Sequence, residues 1–515
     1  MTTPPTMMDP GWYGAPQPPA PPLPPALGPQ PPRHGEPGWT VWPRRIWPFD
    51  PLAAAPRRLV VLALVAGGVG SEFWRVSVLS VGYLLVGAMV FGIVYGTAER
   101  RPTRGEWLGI TVTLALLAVP ALLAAEWLGV LCILAAWLVG WCTLAGGRTW
   151  TAVFTGPFLP LLPARAFGWA RRGIPEGEFT WRGRPSPARV GVVTAITAVL
   201  ALVFGGLFAS ADPAFGRLID DLIPQWNLSE VFVHTLVFSI VLSLVLFSGY
   251  LVRFAPKLDA LAPRPMRPVP NWEWAVPLGV LDVLFIGFVA VQATVLFGGH
   301  AHVLQTEGLT YAEYARQGFW QLLWVSALTL LVLSGVIRVA GRQAAPDRRL
   351  LRIHVGILCT TSVVVVISAI HRMWLYQQAY GFSTERVMVI TIELWLGAVF
   401  ILVAIAGIRM TGLWLPRAIL MAGAVALLGL AATNPERLIA ERNIDRYGQT
   451  GLLDTAYLLE LSPDIEPALA RLPEPMRVCA TYRDDDRGPW YEFNLSRWRA
   501  SHDGTPGADE CPGLT

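Results

Sequence analysis

Between Leu59 and Ala432 the chain carries eleven hydrophobic stretches, most of them about 19–25 residues long, and its arginines fall almost entirely in alternate gaps between them. A bilayer core about 30 Å thick is crossed by roughly 20 apolar residues in helical form. Inside that core every backbone N–H and C=O must be bonded within the protein, so runs this long and this aliphatic are helices. Barrel strands would show as alternating segments of about 10 residues, and the sequence has none. With 53% hydrophobic and only 15% charged residues among 515, the chain has more apolar surface than a soluble fold of this size can hide. The expected fold class is an all-α polytopic membrane protein of about 11 transmembrane helices.

The predicted spans lie near 57–71, 76–97, 107–125, 127–145, 188–209, 230–252, 274–298, 319–340, 350–374, 387–408 and 413–432. The first is short enough to be a half-span. Residues 1–56 read as a disordered proline-rich tail, since the run from Pro16 to Pro32 cannot bury a core. Trp39, Trp42 and Trp47, with Arg44 and Arg45, have the composition of an interfacial anchor. Residues 57–432 form the transmembrane domain and 433–515 a small polar module. The stretch 148–187, with Phe154, Phe158, Phe167 and Trp169 among prolines and arginines, reads as an element lying on the membrane surface.

Arginine placement predicts orientation. Arg57, Arg58, Arg100, Arg101, Arg104, the seven arginines from Arg148 to Arg189, Arg253, Lys257, Arg264 and Arg267 fall in one set of gaps. Arg338, Arg342, Arg348, Arg349, Arg352, Arg409 and Arg417 join them. The opposite short connections hold only Arg75, Arg217, Arg316, Arg372 and Arg386. Arginine-rich short loops stay cytoplasmic, so the N-terminus is expected inside and the C-terminal module outside, in the cell membrane. In that compartment Cys479 and Cys511 could pair, closing a loop of about 30 residues worth about 3 kcal/mol. Cys132, Cys142 and Cys359 fall inside spans and read as small apolar residues.

Local signals mark helix starts in the polar segments. Asp212-Pro213 is an N-cap and first-turn pair, and Thr310 to Glu313 fits a capping box. Ser383 or Thr384 can cap the tenth span, while Asn434-Pro435 and Ser462-Pro463-Asp464 open two helices in the tail. After Pro475 the pattern favours short strands or coil. Inside the spans, Asp282, Gln292 and Glu393 stand out, because an ionisable residue in a membrane helix is costly and points to function or to an interhelical bond.

Signatures of chemistry are scarce. GxSxG, P-loop, HExxH, CxxC and dinucleotide patterns do not occur in a supporting context, so no cofactor is expected. His300-x-His302 lacks the further ligands of a metal site, and no metal is expected. The net charge of +4 is modest and no basic block with interleaved aromatics suggests nucleic acid, so none is expected as a partner. The expected partner is the lipid bilayer, with protein partners left open.

Four phrases occur in order. They are Ser210 to Phe215, Leu309 to Phe319, Arg372 to Tyr376 with Tyr380-Gly381 and Arg386, and a last group. That group is Asn434-Pro435, Ile439-Ala440, Asn443-Ile444, Asp454, Tyr457-Leu458 and Leu461 to Asp464. Together they resemble the bacterial membrane-protein family catalogued as domain of unknown function 4173, over about residues 70 to 500. The stretch Gly381 to Arg386 departs mildly from that pattern. The resemblance implies the fold and no reaction.

All four phrases fall on the predicted outer side. Asp212, Glu313, Arg316, Arg372, Tyr376, Tyr380 and Arg386 are expected to converge there into one polar, aromatic-rimmed site, with Glu393 extending it inward and the segment from Asn434 to Ser462 as its roof. Three functions are open. The first, favoured by the lack of a catalytic signature, is binding or transport of a lipid-like or small anionic ligand. The others are an envelope enzyme acting on a lipid-linked substrate, with Asp212 or Glu313 as base, and a membrane scaffold or sensor.

Overall fold

The computed structural model describes residues 47, 53–74, 78–161, 164–173, 228–263, 267–297, 311–473 and 489–503, with backbone only at 228–229, 293–297, 311–320 and 502–503. The apolar runs among these residues are helices. The first four are α1 (Arg57–Phe73), α2 (Val81–Gly96), α3 (Arg104–Leu122) and α4 (Glu126–Ala145). Two short helices, α5 (Trp150–Thr155) and α6 (Ala164–Gly173), precede α7 (Leu228–Arg253), α8 (Asn271–Phe297) and α9 (Tyr311–Val339). Then come α10 (Ala345–Tyr380), α11 (Thr384–Arg409) and α12 (Leu415–Ala432). The tail adds α13 (Pro435–Thr450), α14 (Thr455–Leu459), α15 (Glu466–Leu469) and α16 (Leu495–Asp503). Strands are absent among the described residues, apart from one isolated parallel bridge between Val269 and Ala340.

Ten of the predicted spans coincide with helices; the fifth, near 188–209, lies outside the described residues. Eight described helices, α3, α4 and α7 to α12, are long and apolar enough to cross a membrane. The apolar α2 has 16 residues and α1 has 17, about 24–26 Å at helical rise. Small residues let α1 lie close to α7. A Cβ on Gly67 would sit 2.8 Å from Phe238, and one on Gly70 2.9 Å from Val241. Lipid offers no hydrophobic drive for helix pairing, so close backbone approach of this kind supplies the van der Waals contact that does.

The helix ends sort onto two faces. On one, the tail meets the start of α2, the α3–α4 turn and the α10–α11 turn: Val81 N–H donates to Phe493 O (3.0 Å), Asn494 Nδ2 to Leu123 O (2.8 Å) and Arg446 Nη2 to Ala379 O (2.9 Å). On the other, Arg253 donates to Thr97 O, Asn271 to Asp347 and Arg417 to Cys142 O. The chain leaves α6 on this second face, where Ala55 N–H bonds Trp169 O, and re-enters α7 on the tail face, where His234 lies 3.9 Å from Glu72. Arg100, Arg104, Arg148, Arg338 and Arg409 all end up at the face opposite the tail.

Three local expectations meet a different outcome. Trp47 is no interfacial anchor: it is buried, its indole N–H donates to Phe254 O (2.7 Å), and its ring packs on Tyr250. Trp39 and Trp42 lie outside the described residues. The described part of 148–187 folds as α5, a 3-10 turn and α6, leaving Phe154 and Phe158 exposed as a surface element would, yet Trp169 is buried against Tyr250. Past Pro475, the described part of the tail forms α16 where strands or coil were expected. Asn494 starts it, since its side chain accepts the Arg497 N–H (3.0 Å).

Candidate functional site

The longest of the described helices, α10, ends on the tail face at Gly381, whose φ of 86° lies in the left-handed region that glycine adopts without strain. Three residues on, α11 begins. From its first turn Arg386 reaches back, and its Nη1 donates to the carbonyls of Tyr380 (3.3 Å) and Gly381. A cation at a helix C-terminus satisfies orphan carbonyls and complements the dipole. The same guanidinium lies 4.5 Å over the Tyr376 ring, and Tyr376 packs 5.0 Å from Tyr380. The other guanidinium edge, Nε and Nη2, makes no hydrogen bond among the described residues. Arg372 sits one turn before Tyr376 on α10 and is half-buried.

Below this cluster lies Glu393. It is 1% exposed and neither carboxylate oxygen has a hydrogen-bond partner. A Cβ on Gly397 would meet Val366 Cγ1 at 3.3 Å, which places Glu393, one turn away on the antiparallel α11, level with Ala369 and Ile370 of α10. Nearby on α10, Ser368 Oγ donates to Gln292 Oε1 of α8 (3.0 Å), with both residues buried. Toward the opposite face, Asp282 of α8 and His354 of α10 meet at 2.5 Å, with Trp274 edge-on to the imidazole. Asp282 and Gln292 thus make the interhelical bonds that a membrane interior rewards, and Glu393 does not.

The tail closes over this face through side chains that cap membrane turns. Asp464 Oδ2 accepts the N–H groups of Ala124 and Ala125, both at 2.9 Å, at the start of α4. Glu436 accepts the Trp127 indole N–H (2.9 Å) and the Ser462 amide (2.7 Å). Asn443 brackets Phe382, accepting its N–H (2.8 Å) and donating to its C=O (2.9 Å). Tyr457 Oη accepts the Thr384 N–H (2.9 Å). That last bond revises an expectation: Ser383 occupies the cap position of α11 but makes no capping bond, and the tail supplies it. Asn434 and Ser462 do cap their own helices as predicted.

Of the predicted site residues, Tyr376, Tyr380 and Arg386 are in contact, and Arg372 and Glu393 lie within two turns of them on α10 and α11. Glu313 and Arg316 fall in the first turns of α9, and their side chains lie outside the description. Asp212, Cys479, Cys511, His300 and His302 lie outside the described residues, and Cys132, Cys142 and Cys359 are buried free thiols. Among the described residues no group of three or more His, Cys, Asp or Glu is placed to hold a metal ion. Nothing local in the sequence marks His354 as the partner of an acid on another helix.

Fold and site together define a multi-pass α-helical membrane protein. Residues 110–472 match the family described as "Domain of unknown function (DUF4153)", and the chain belongs to that family. The number differs from the 4173 that the four phrases resemble. The match also runs from within α3 to just past α15, short of the 70 to 500 expected. No curated protein and no solved structure matches the chain.

Proposed function

We infer that this protein binds or transports a lipid-like or small anionic ligand at the tail face, which is the outer side of the cell membrane, with the N-terminus in the cytoplasm. The observation that carries the reading is the unbonded edge of Arg386. Its Nη1 is fixed on two carbonyls and its plane on Tyr376, so the Nε/Nη2 fork is held ready. A fork of this kind matches the paired oxygens of a carboxylate or phosphate, and prior fixing lowers the ordering cost of binding. Glu393 extends the polar track inward, as an acid on a solute or proton path would.

The test uses the purified full-length chain in nanodiscs or detergent, titrated with short-chain phosphatidylglycerol and, separately, phosphatidylcholine. The wild type is expected to prefer phosphatidylglycerol. Arg386→Ala should weaken that binding about ten- to a hundredfold, the value of a charge-assisted bond, and Arg386→Lys should restore little because it lacks the fork. Equal binding by all three would overturn the site. For orientation, a phosphatase active only outside the cytosol is expected to work when fused behind Thr515; cytosolic fluorescence of a fusion there would reverse it.

One further observation favours the scaffold or sensor reading. The tail is tied to two membrane turns by Asp464, Asn443 and Tyr457, so a pull on it reaches α4 and α11 directly. Unchanged lipid binding in Arg386→Ala would shift the balance to that reading.

A further inference from the structure

A cavity lies in the other half of the bundle, among α2, α3, α4 and α7, with a volume of about 140 Å³. It shares no residue with the Arg386 cluster and is independent of a function there. Its walls are apolar and aromatic, with Tyr83, Phe91, Trp137 and Trp141 among them. It is elongated: along α4 the lining runs from Ile133 to Leu144, about 16 Å at helical rise, close to half of the roughly 30 Å hydrocarbon core.

Two lining residues carry buried polar atoms with no partner: the Trp74 indole N–H at the tail-face end and the Ser248 hydroxyl near the other. Ser248 is 1% exposed. Its neighbours show that the free hydroxyl is a choice of rotamer. Ser239 and Ser243, on the same helix, donate to carbonyls four residues back, at 2.7 and 2.6 Å, and Ser248 does not. A stranded donor at such depth is costly unless something accepts from it. On one side the wall is formed by Trp137, which is 38% exposed and whose indole N–H donates to Pro157 O (3.2 Å).

We propose that this cavity holds one acyl chain of a membrane phospholipid, entering past Trp137, with an ester carbonyl accepting from Trp74. An acyl ester is apolar along its length and offers acceptors at one end, which fits an aromatic-walled slot better than a free ion or a sugar. At the far end of the slot the Ser248 hydroxyl donates to a single ordered water carried in with the lipid.

The test is photolabelling of the full-length chain, reconstituted with phosphatidylglycerol bearing a diazirine within its acyl chain, followed by peptide mapping. Label is expected on Ile133 and Leu144, inside the cavity, as well as on Val130 and Leu134, which are 48% and 55% exposed on the outward side of the same helix. Ala136→Leu, which fills the slot, should cut the inner label about tenfold and spare the outer. Ser248→Ala, which removes only an oxygen, should lower the inner label about two- to tenfold at limiting lipid, as loss of one hydrogen bond would. Label confined to Val130 and Leu134 in the wild type would overturn the proposal. So would inner label that neither variant reduces, and Ser248→Ala keeps the test decisive should Ala136→Leu misfold.

Discussion

Asp464 in the tail bonds through one carboxylate oxygen to the N–H of Ala125, 339 residues earlier, where α4 begins. Alanine offers no side-chain cap, so a residue of the tail does that work. The same oxygen accepts from Ala124, Ser462 Oγ lies 3.0 Å away, and Asp464 is 1% exposed. Asp464→Ala would strand two buried amides. It is expected to cost about 1.5–3 kcal/mol and to free the tail for proteolysis, with Asp464→Asn in between. Melting curves and limited digestion of the purified chain check this. Unchanged melting in Asp464→Ala would mean the tail is held by its apolar contacts alone.

Tyr457→Phe isolates a single bond. The ring keeps its packing and the Thr384 N–H loses its acceptor, since Ser383 makes no capping bond. The loss should be about 1 kcal/mol, with faster hydrogen exchange at the Thr384 amide. A serine rotamer change could compensate, so Tyr457→Phe combined with Ser383→Ala should show the larger effect. If the double variant exchanges no faster than wild type, the phenol is not the cap.

These two bonds mark what a sequence can and cannot disclose. Asn434 and Ser462 cap the helices they precede, so spacing alone exposes them. Asp464 and Tyr457 look like local cap or core residues too, yet they serve turns hundreds or tens of residues away, and no periodicity encodes such a pairing. The same limit applies inside the membrane. Asp282 is conspicuous because charge is costly there; His354, 72 residues on, becomes its partner only once α8 and α10 pack. Trp47 misled for a related reason, since tryptophan suits a headgroup layer and a packed core alike, and only Phe254 and Tyr250 decide between them.

Asp259 gives a dependence on pH. It lies in the α7–α8 connection and accepts from Arg148 N–H (2.7 Å), Thr149 N–H (2.9 Å) and Thr149 Oγ1 (2.9 Å). Burial alone would raise its pKa, but these bonds outweigh it and hold the carboxyl below its usual 3.8. The unfolded chain then takes up its proton first as pH falls. The stabilisation is complete above the ordinary carboxylate value and drains away as pH drops through the lowered one. Wild type should melt slightly above Asp259→Asn at pH 6, the side chain being exposed and screened, and the gap should close below roughly pH 4. A gap constant from pH 6 to pH 3 would assign the effect to something other than this carboxylate.

Asp282 and His354 form the contact most exposed to the rules of a dry interior. At 2.5 Å, with side chains 6% and 15% exposed, each is the other's main compensation, and Asp282 Oδ1 has no partner at all. Removing one member leaves the second stranded. Asp282→Leu and His354→Leu should therefore each destabilise the chain, by about 3–5 kcal/mol if the pair is ionised and about 1–3 kcal/mol if it is a neutral hydrogen bond. The double variant should cost less than the sum, since neither group is left behind, and a hydrophobic pair of similar volume can even restore the wild-type melting temperature. A double variant as unstable as the two singles added together would show that the residues act independently, and α8 would then owe its hold on α10 to Ser368 and Gln292 and to apolar packing.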